Sequence, residues 1–180
     1  MRRVRVELPP GVARALLHAL VAFARASGAA LAVVALLAVA ATAVGLVVVA
    51  HGIAVLLLVL FANVVHELGH VIAYRLAAPT RRAQLECDGF RAALHRDRLP
   101  RRADRAVTAA GPLAPLLLVP ALLPFASTSP AEPVAAGVIA AAHALGLVLP
   151  TADRRAWREA VAGNAPRPSP RGADSPTLGA

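Results

Sequence analysis

From Ser27 to Val65 the chain contains no Asp, Glu, Lys or Arg, and its apolar residues fill the stretch without strand alternation or an amphipathic helical stripe. Such a segment faces lipid or a large core on every side. The apolar run after Ser27-Gly28 is about 48 residues long, more than twice the roughly 20 that one crossing requires, so it folds as two helices. His51-Gly52 supplies the break between them, and the helices are expected at about 29–50 and 53–77. A third run, about 106–126, carries Gly111, Pro112, Pro115, Pro120 and Pro124 and is expected to be kinked and closely packed. A fourth, about 134–150, follows Ser127–Pro133 and ends at Pro150.

The remaining segments are polar or amphipathic. Met1–Pro10 is basic and is closed by Pro9-Pro10-Gly11. From Val12 to Ala26, Arg14, His18 and Arg25 fall within about 40° on a helical wheel while the rest is mostly Ala, Leu, Val and Phe. That pattern predicts an interfacial helix on an anionic membrane surface, with His18 on its solvated face. Residues 79–104 are rich in arginine, and Ala83–Cys87 and Phe90–Leu94 flank Asp88-Gly89, which predicts a β-hairpin. From Gly163 onward Pro, Ser and Gly indicate a disordered tail.

The fold class expected is an all-α polytopic membrane protein, with about four transmembrane helices and a short β-hairpin-like loop between helices two and three. The organisation expected is a basic segment with its interfacial helix at 1–28, a transmembrane domain at 29–158 and a tail at 159–180. The composition agrees, with 58% hydrophobic and 3% aromatic residues. The first apolar run exceeds the 7–15 residues of a cleavable signal, so the chain is expected to stay anchored. The single cysteine, Cys87, excludes an internal disulfide and fits a reducing compartment.

Net charge is +9, a value that in a soluble domain suggests nucleic acid. Here the arginines flank apolar runs and no basic stripe is interleaved with aromatics, so lipid bilayer and membrane protein are the expected partners and nucleic acid is not. The segments before the first helix and after the last carry 5 arginines each, and the loop between helices two and three, counted from Arg75 to Arg105, carries 9. Arginine excess marks the cytoplasmic side, which predicts four spans with both termini inside, in the inner or plasma membrane.

Against this background His66-Glu67-Leu68-Gly69-His70 is exceptional. An acid at a membrane helix centre costs on the order of 2.5–3.5 kcal/mol on insertion scales, so its presence calls for a chemical reason. Residues four apart project within about 40°, so His66 and His70 can present two nitrogens to one Zn²⁺, with Glu67 beside them as general base toward a zinc-activated water. Asn63 lies one turn earlier on the same face, suited to hydrogen-bond an imidazole, a substrate or a neighbouring helix. His51 and His95 read as loop residues.

Catalytic zinc takes three protein ligands, and the third has to come from the second half of the chain. The candidates are Asp153 and His143. Measured from the outer side, Asp153 lies about 30 Å and His143 about 15 Å along the fourth helix, against about 20–25 Å for His66 and His70.

The chain resembles the site-2 protease family of intramembrane zinc metalloproteases in His66–His70, then Ala110-Gly111-Pro112-Leu113, then Leu149-Pro150 followed by Asp153. The likeness covers about residues 53–158. It implies a three-helix catalytic core, His66, His70 and Asp153 as zinc ligands, Glu67 as general base, and a membrane protein substrate. It also implies that the hairpin at 83–95 holds an extended substrate by strand addition. Pro115, Leu147 and Arg154 stand where the family usually has Asn, Asn and Gly. These departures keep a second expectation open, a catalytically impaired member acting as a membrane scaffold or substrate-holding partner.

Overall fold

The computed structural model describes residues 3–127, 129–149, 154, 155, 157, 158 and 161. Its elements are β1 (Arg3–Glu7), α1 (Val12–Ala43), α2 (Val47–Ala77), β2 (Ala83–Asp88), β3 (Arg91–Arg96), α3 (Arg101–Leu113), α4 (Leu118–Leu122) and α5 (Ala131–Leu145). Short 3₁₀ turns flank α4 on both sides, so Arg101–Phe125 is one kinked helical run in which prolines interrupt the regular hydrogen-bond ladder. The runs Val12–Ala43, Val47–Ala77 and Arg101–Phe125 are each long and apolar enough to cross a membrane. The fourth apolar helix, α5, has 15 residues.

The first break differs from the sequence expectation. One helix, α1, runs through Ser27-Gly28, joining the amphipathic stretch to the first span, and it ends at Val44-Gly45-Leu46. Gly45 has φ 75°, Leu46 N–H donates to Ala41 O at 2.8 Å and Gly45 N–H donates to Thr42 O at 3.1 Å. Those two bonds form a Schellman cap, which requires a left-handed residue at this position. His51-Gly52 lies inside α2, where His51 Nδ1 is 2.9 Å from Val47 O one turn back. A histidine that satisfies itself on its own helix does not interrupt it.

The hairpin is present, with its turn one residue later than the Asp88-Gly89 pair suggests. Asp88 pairs with Arg91, leaving Gly89-Phe90 as a two-residue loop with positive φ only at Gly89. That is the type II′ pattern, in which glycine is needed at the first central position. The sheet has a third strand, since β1 pairs antiparallel with β2 to give the order β1-β2-β3. The basic charge of Met1–Pro10 concealed this strand. Arg3, Arg5 and Glu7 face solvent while Val4 and Val6 turn inward, and Arg3 and Arg5 both pair with Glu86 on β2. Those two guanidiniums hold the Glu86 carboxyl below its ordinary range.

The main core lies where α1, α2, α3 and the inner face of the sheet meet, around Ala15, Ala19, Phe23, Val71, Tyr74, Leu85, Cys87 and Val107. A smaller cluster of Ala62, Leu118 and Ala136 joins α2 to α4 and α5. At the end of α2, Arg75 is 1% exposed and donates from Nη1 to Arg81 O at 2.6 Å and from Nη2 to Leu8 O. It thereby ties α2 to the segment joining β1 to α1 and to the approach to β2. Arg75→Ala removes these charge-assisted bonds and is expected to destabilise the fold by about 1.5–3 kcal/mol, measured as a lowered unfolding midpoint in detergent.

Candidate metal and proton-transfer site

The site is built on the second half of α2. Gly69 is fully packed against α3: a Cβ placed there would come within 2.5 Å of Ala110 O and 2.7 Å of the Ala114 methyl. Gly111 does the same from the other side, since a Cβ there would overlap His70 Nε2 and its neighbouring ring carbons. Two glycines thus bring the α2 and α3 backbones close enough for an imidazole to fit between them. The close approach lets His70 Nδ1 reach Val107 O at 2.7 Å. A carbonyl only accepts, so Nδ1 carries the proton, while Nε2 lies against the Gly111 backbone.

His66 lies one turn earlier with its ring centre 5.0 Å from that of His70, in an edge-to-face relation. Its Nδ1 is 3.2 Å from Nδ1 of His143 on α5, and the two rings are tilted by 46° with centres 5.2 Å apart. All three histidines are half-buried, as are Glu67 and Asn63. Cys87 of β2 lies near enough to Glu67 to feel its charge. Burial first, and the Glu67 carboxylate second, push the Cys87 thiol up to about 11.

The structure therefore places the His66 and His70 rings edge to face on α2 and brings His143, one of the two candidates for a third ligand, against His66. Asp153 lies outside the described residues, as does the predicted tail apart from Val161. The three departures from the family pattern fall differently: Pro115 is buried in the turn after α3, Leu147 is half-buried in the turns that follow α5, and Arg154 is also half-buried. Away from the site, His18 is exposed on α1, and His95 is exposed with Nε2 3.5 Å from Glu86 Oε2.

The donor chemistry suits zinc, which prefers imidazole nitrogen and is held at about 2.0–2.1 Å by it. Among the described residues no three metal-binding side chains already converge on one point. The Nδ1 atoms of His66 and His143, 3.2 Å apart, stand at hydrogen-bond distance.

Sequence reasoning did not find the Val107 carbonyl or the Gly111 cradle. The first is a backbone atom with no residue signature, and the second was read only as part of a Gly-Pro kink. Gly111→Ala is expected to expel the His70 ring with a stability loss of about 1–3 kcal/mol, measured as a lowered unfolding midpoint in detergent. Gly137→Ala, with nothing within 4 Å of the added methyl, is the control in the same measurement. Cys87 is expected to resist maleimide at pH 7.5 in the folded protein and to label readily after unfolding, followed by mass spectrometry.

Neither a family, nor a characterised protein, nor a solved structure matches this chain, so the site is interpreted from its own residues and geometry.

Proposed function

We propose that the protein is an intramembrane zinc-dependent endopeptidase that cleaves membrane-embedded substrates near the cytoplasmic leaflet. The observation that carries this reading is the pairing of Glu67 with two imidazoles on an apolar helix, one of them oriented by the Val107 carbonyl. In this reading α5 is the fourth span and both termini lie in the cytoplasm of a cell whose inner or plasma membrane holds the chain, in keeping with the arginine distribution.

His66 and His70 hold the metal together with a third side chain from the C-terminal part of the chain, where the family resemblance assigns Asp153. Zinc bound there supplies a Lewis acid for the scissile carbonyl and lowers the pKa of water toward about 7. Glu67 accepts a proton from the attacking water and returns it to the leaving amine. Gly69 and Gly111 keep the His70 ring against α3, which fixes its tautomer and direction. On the sheet, β3 pairs on one side with β2, and its other side is an edge on which an extended substrate can add as a strand.

A second reading, an impaired relative that holds substrates without cutting them, is favoured by one observation. Pro115 is buried where an amide side chain would otherwise donate, and proline offers no donor. The two separate on one variant. Glu67→Ala is expected to abolish cleavage of a co-expressed membrane-embedded reporter while leaving zinc content unchanged. Cleavage that survives the substitution defeats the mechanism, and a wild type that binds the reporter with zinc in place but never cuts it establishes the scaffold.

A further inference from the structure

We infer that an open cavity beyond the end of α5 is a binding site for an anionic phospholipid, whose phosphate is held by Arg154 and Arg158 and whose upper acyl chain lies along Leu147, Val148 and Trp157. The inference rests on the membrane reading of the chain and is independent of zinc and of peptide hydrolysis.

The cavity has a volume of about 500 Å³ and is lined by Leu147, Val148, Arg154, Trp157, Arg158 and Val161. That size falls within the roughly 300–1,000 Å³ of small-ligand sites. Leu147 and Val148 belong to the turns that follow α5 and extend the apolar surface beyond that helix. The other four lining residues are helical and follow one another at spacings of three, four and one, so that Arg154 is one turn from both Trp157 and Arg158. Arg155 is helical too, but it is exposed and takes no part in the lining. Two guanidiniums and an indole are thereby turned toward an apolar wall. The segment is moored where α3 begins, since Arg101 donates from Nη2 to Val161 O.

The lining has two chemical halves, and a ligand has to answer both. A guanidinium meets phosphate with two parallel N–H donors, which suits Arg154 and Arg158 to an anionic headgroup. Leucine, valine and the indole body suit hydrocarbon, and tryptophan is the residue that favours the boundary between acyl chains and headgroups. A free inorganic anion leaves the apolar wall in contact with water, and a neutral hydrophobe leaves the two cations unanswered. An amphiphilic anion satisfies both. The cavity also lies at the end of the bundle where α3 starts, next to the arginine-rich segment from Arg75 to Arg105. The arginine distribution assigns that end to the cytoplasmic side, whose leaflet carries the anionic lipids. Glycine, the residue usual at position 154 in the site-2 protease family, would remove one of the two guanidiniums.

Trp157 is the sole tryptophan of the chain, so its fluorescence reads the cavity directly. The test reconstitutes the full chain in phosphatidylcholine vesicles that contain a small fraction of lipid brominated on the acyl chain, where bromine quenches an indole it touches. Brominated phosphatidylglycerol is expected to quench Trp157 with an apparent affinity about 25-fold above that of brominated phosphatidylcholine, about fivefold for each guanidinium. Equal quenching by the two lipids overturns the inference without requiring any variant to fold. Arg154→Gln and Arg158→Gln are each expected to reduce the preference about fivefold, and Arg155→Gln to preserve it. A preference that survives both substitutions together, or that falls as far with Arg155→Gln, overturns the inference. Relief of the quenching by millimolar glycerol phosphate assigns the site to a free anion and overturns the lipid assignment. A chain that an alkaline wash strips from the vesicles defeats the membrane reading and the inference with it.

Discussion

The α2–α3 contact at Gly69 and Gly111 is the constraint on which the site depends. An added methyl at either position would meet backbone or the His70 ring itself, so neither helix tolerates a larger residue without moving away. Only at this separation does His70 Nδ1 reach the Val107 carbonyl. That bond sets the tautomer, and the tautomer sets which nitrogen can act. A backbone spacing chosen by two glycines therefore propagates into the protonation pattern of a side chain, with no charged residue needed to enforce it.

The other two sides of the site are held by different physics. Toward α5 the contact is made largely by alanines, since Ala62, Ala136 and Ala140 are wholly buried, and it is joined by polar contacts of His66 with His143 and of His51 with Glu132. Toward the sheet the contact is polar as well as apolar: Glu67 acts electrostatically on Cys87, and the neighbouring Glu86 on the opposite face of β2 is pinned by Arg3 and Arg5. Strand β1 is thus joined to the face of the sheet that meets α2 through a single shared strand. Arg75 reinforces the coupling by holding the Leu8 carbonyl from the end of α2. The inside of the sheet reports on the site, and the outside is anchored by ion pairs at the solvent.

What the sequence disclosed follows from which forces act locally. The apolar runs, the hairpin and the His66–His70 motif are encoded within a few residues of themselves, by hydropathy, by turn chemistry and by i, i+4 spacing. The break at Gly45 was equally local, yet it was hidden because a glycine in a run of Val and Ala offers less contrast than His51-Gly52. The Schellman geometry that decides the matter is visible only in the backbone. Strand β1 was illegible for a different reason. Its register is set by Glu86, about eighty residues away, which turns a solvated basic segment into one side of a salt-bridged ladder. His143 was legible only as one of two candidates beside Asp153, because its meeting with His66, seventy-seven positions away, depends on how α5 docks.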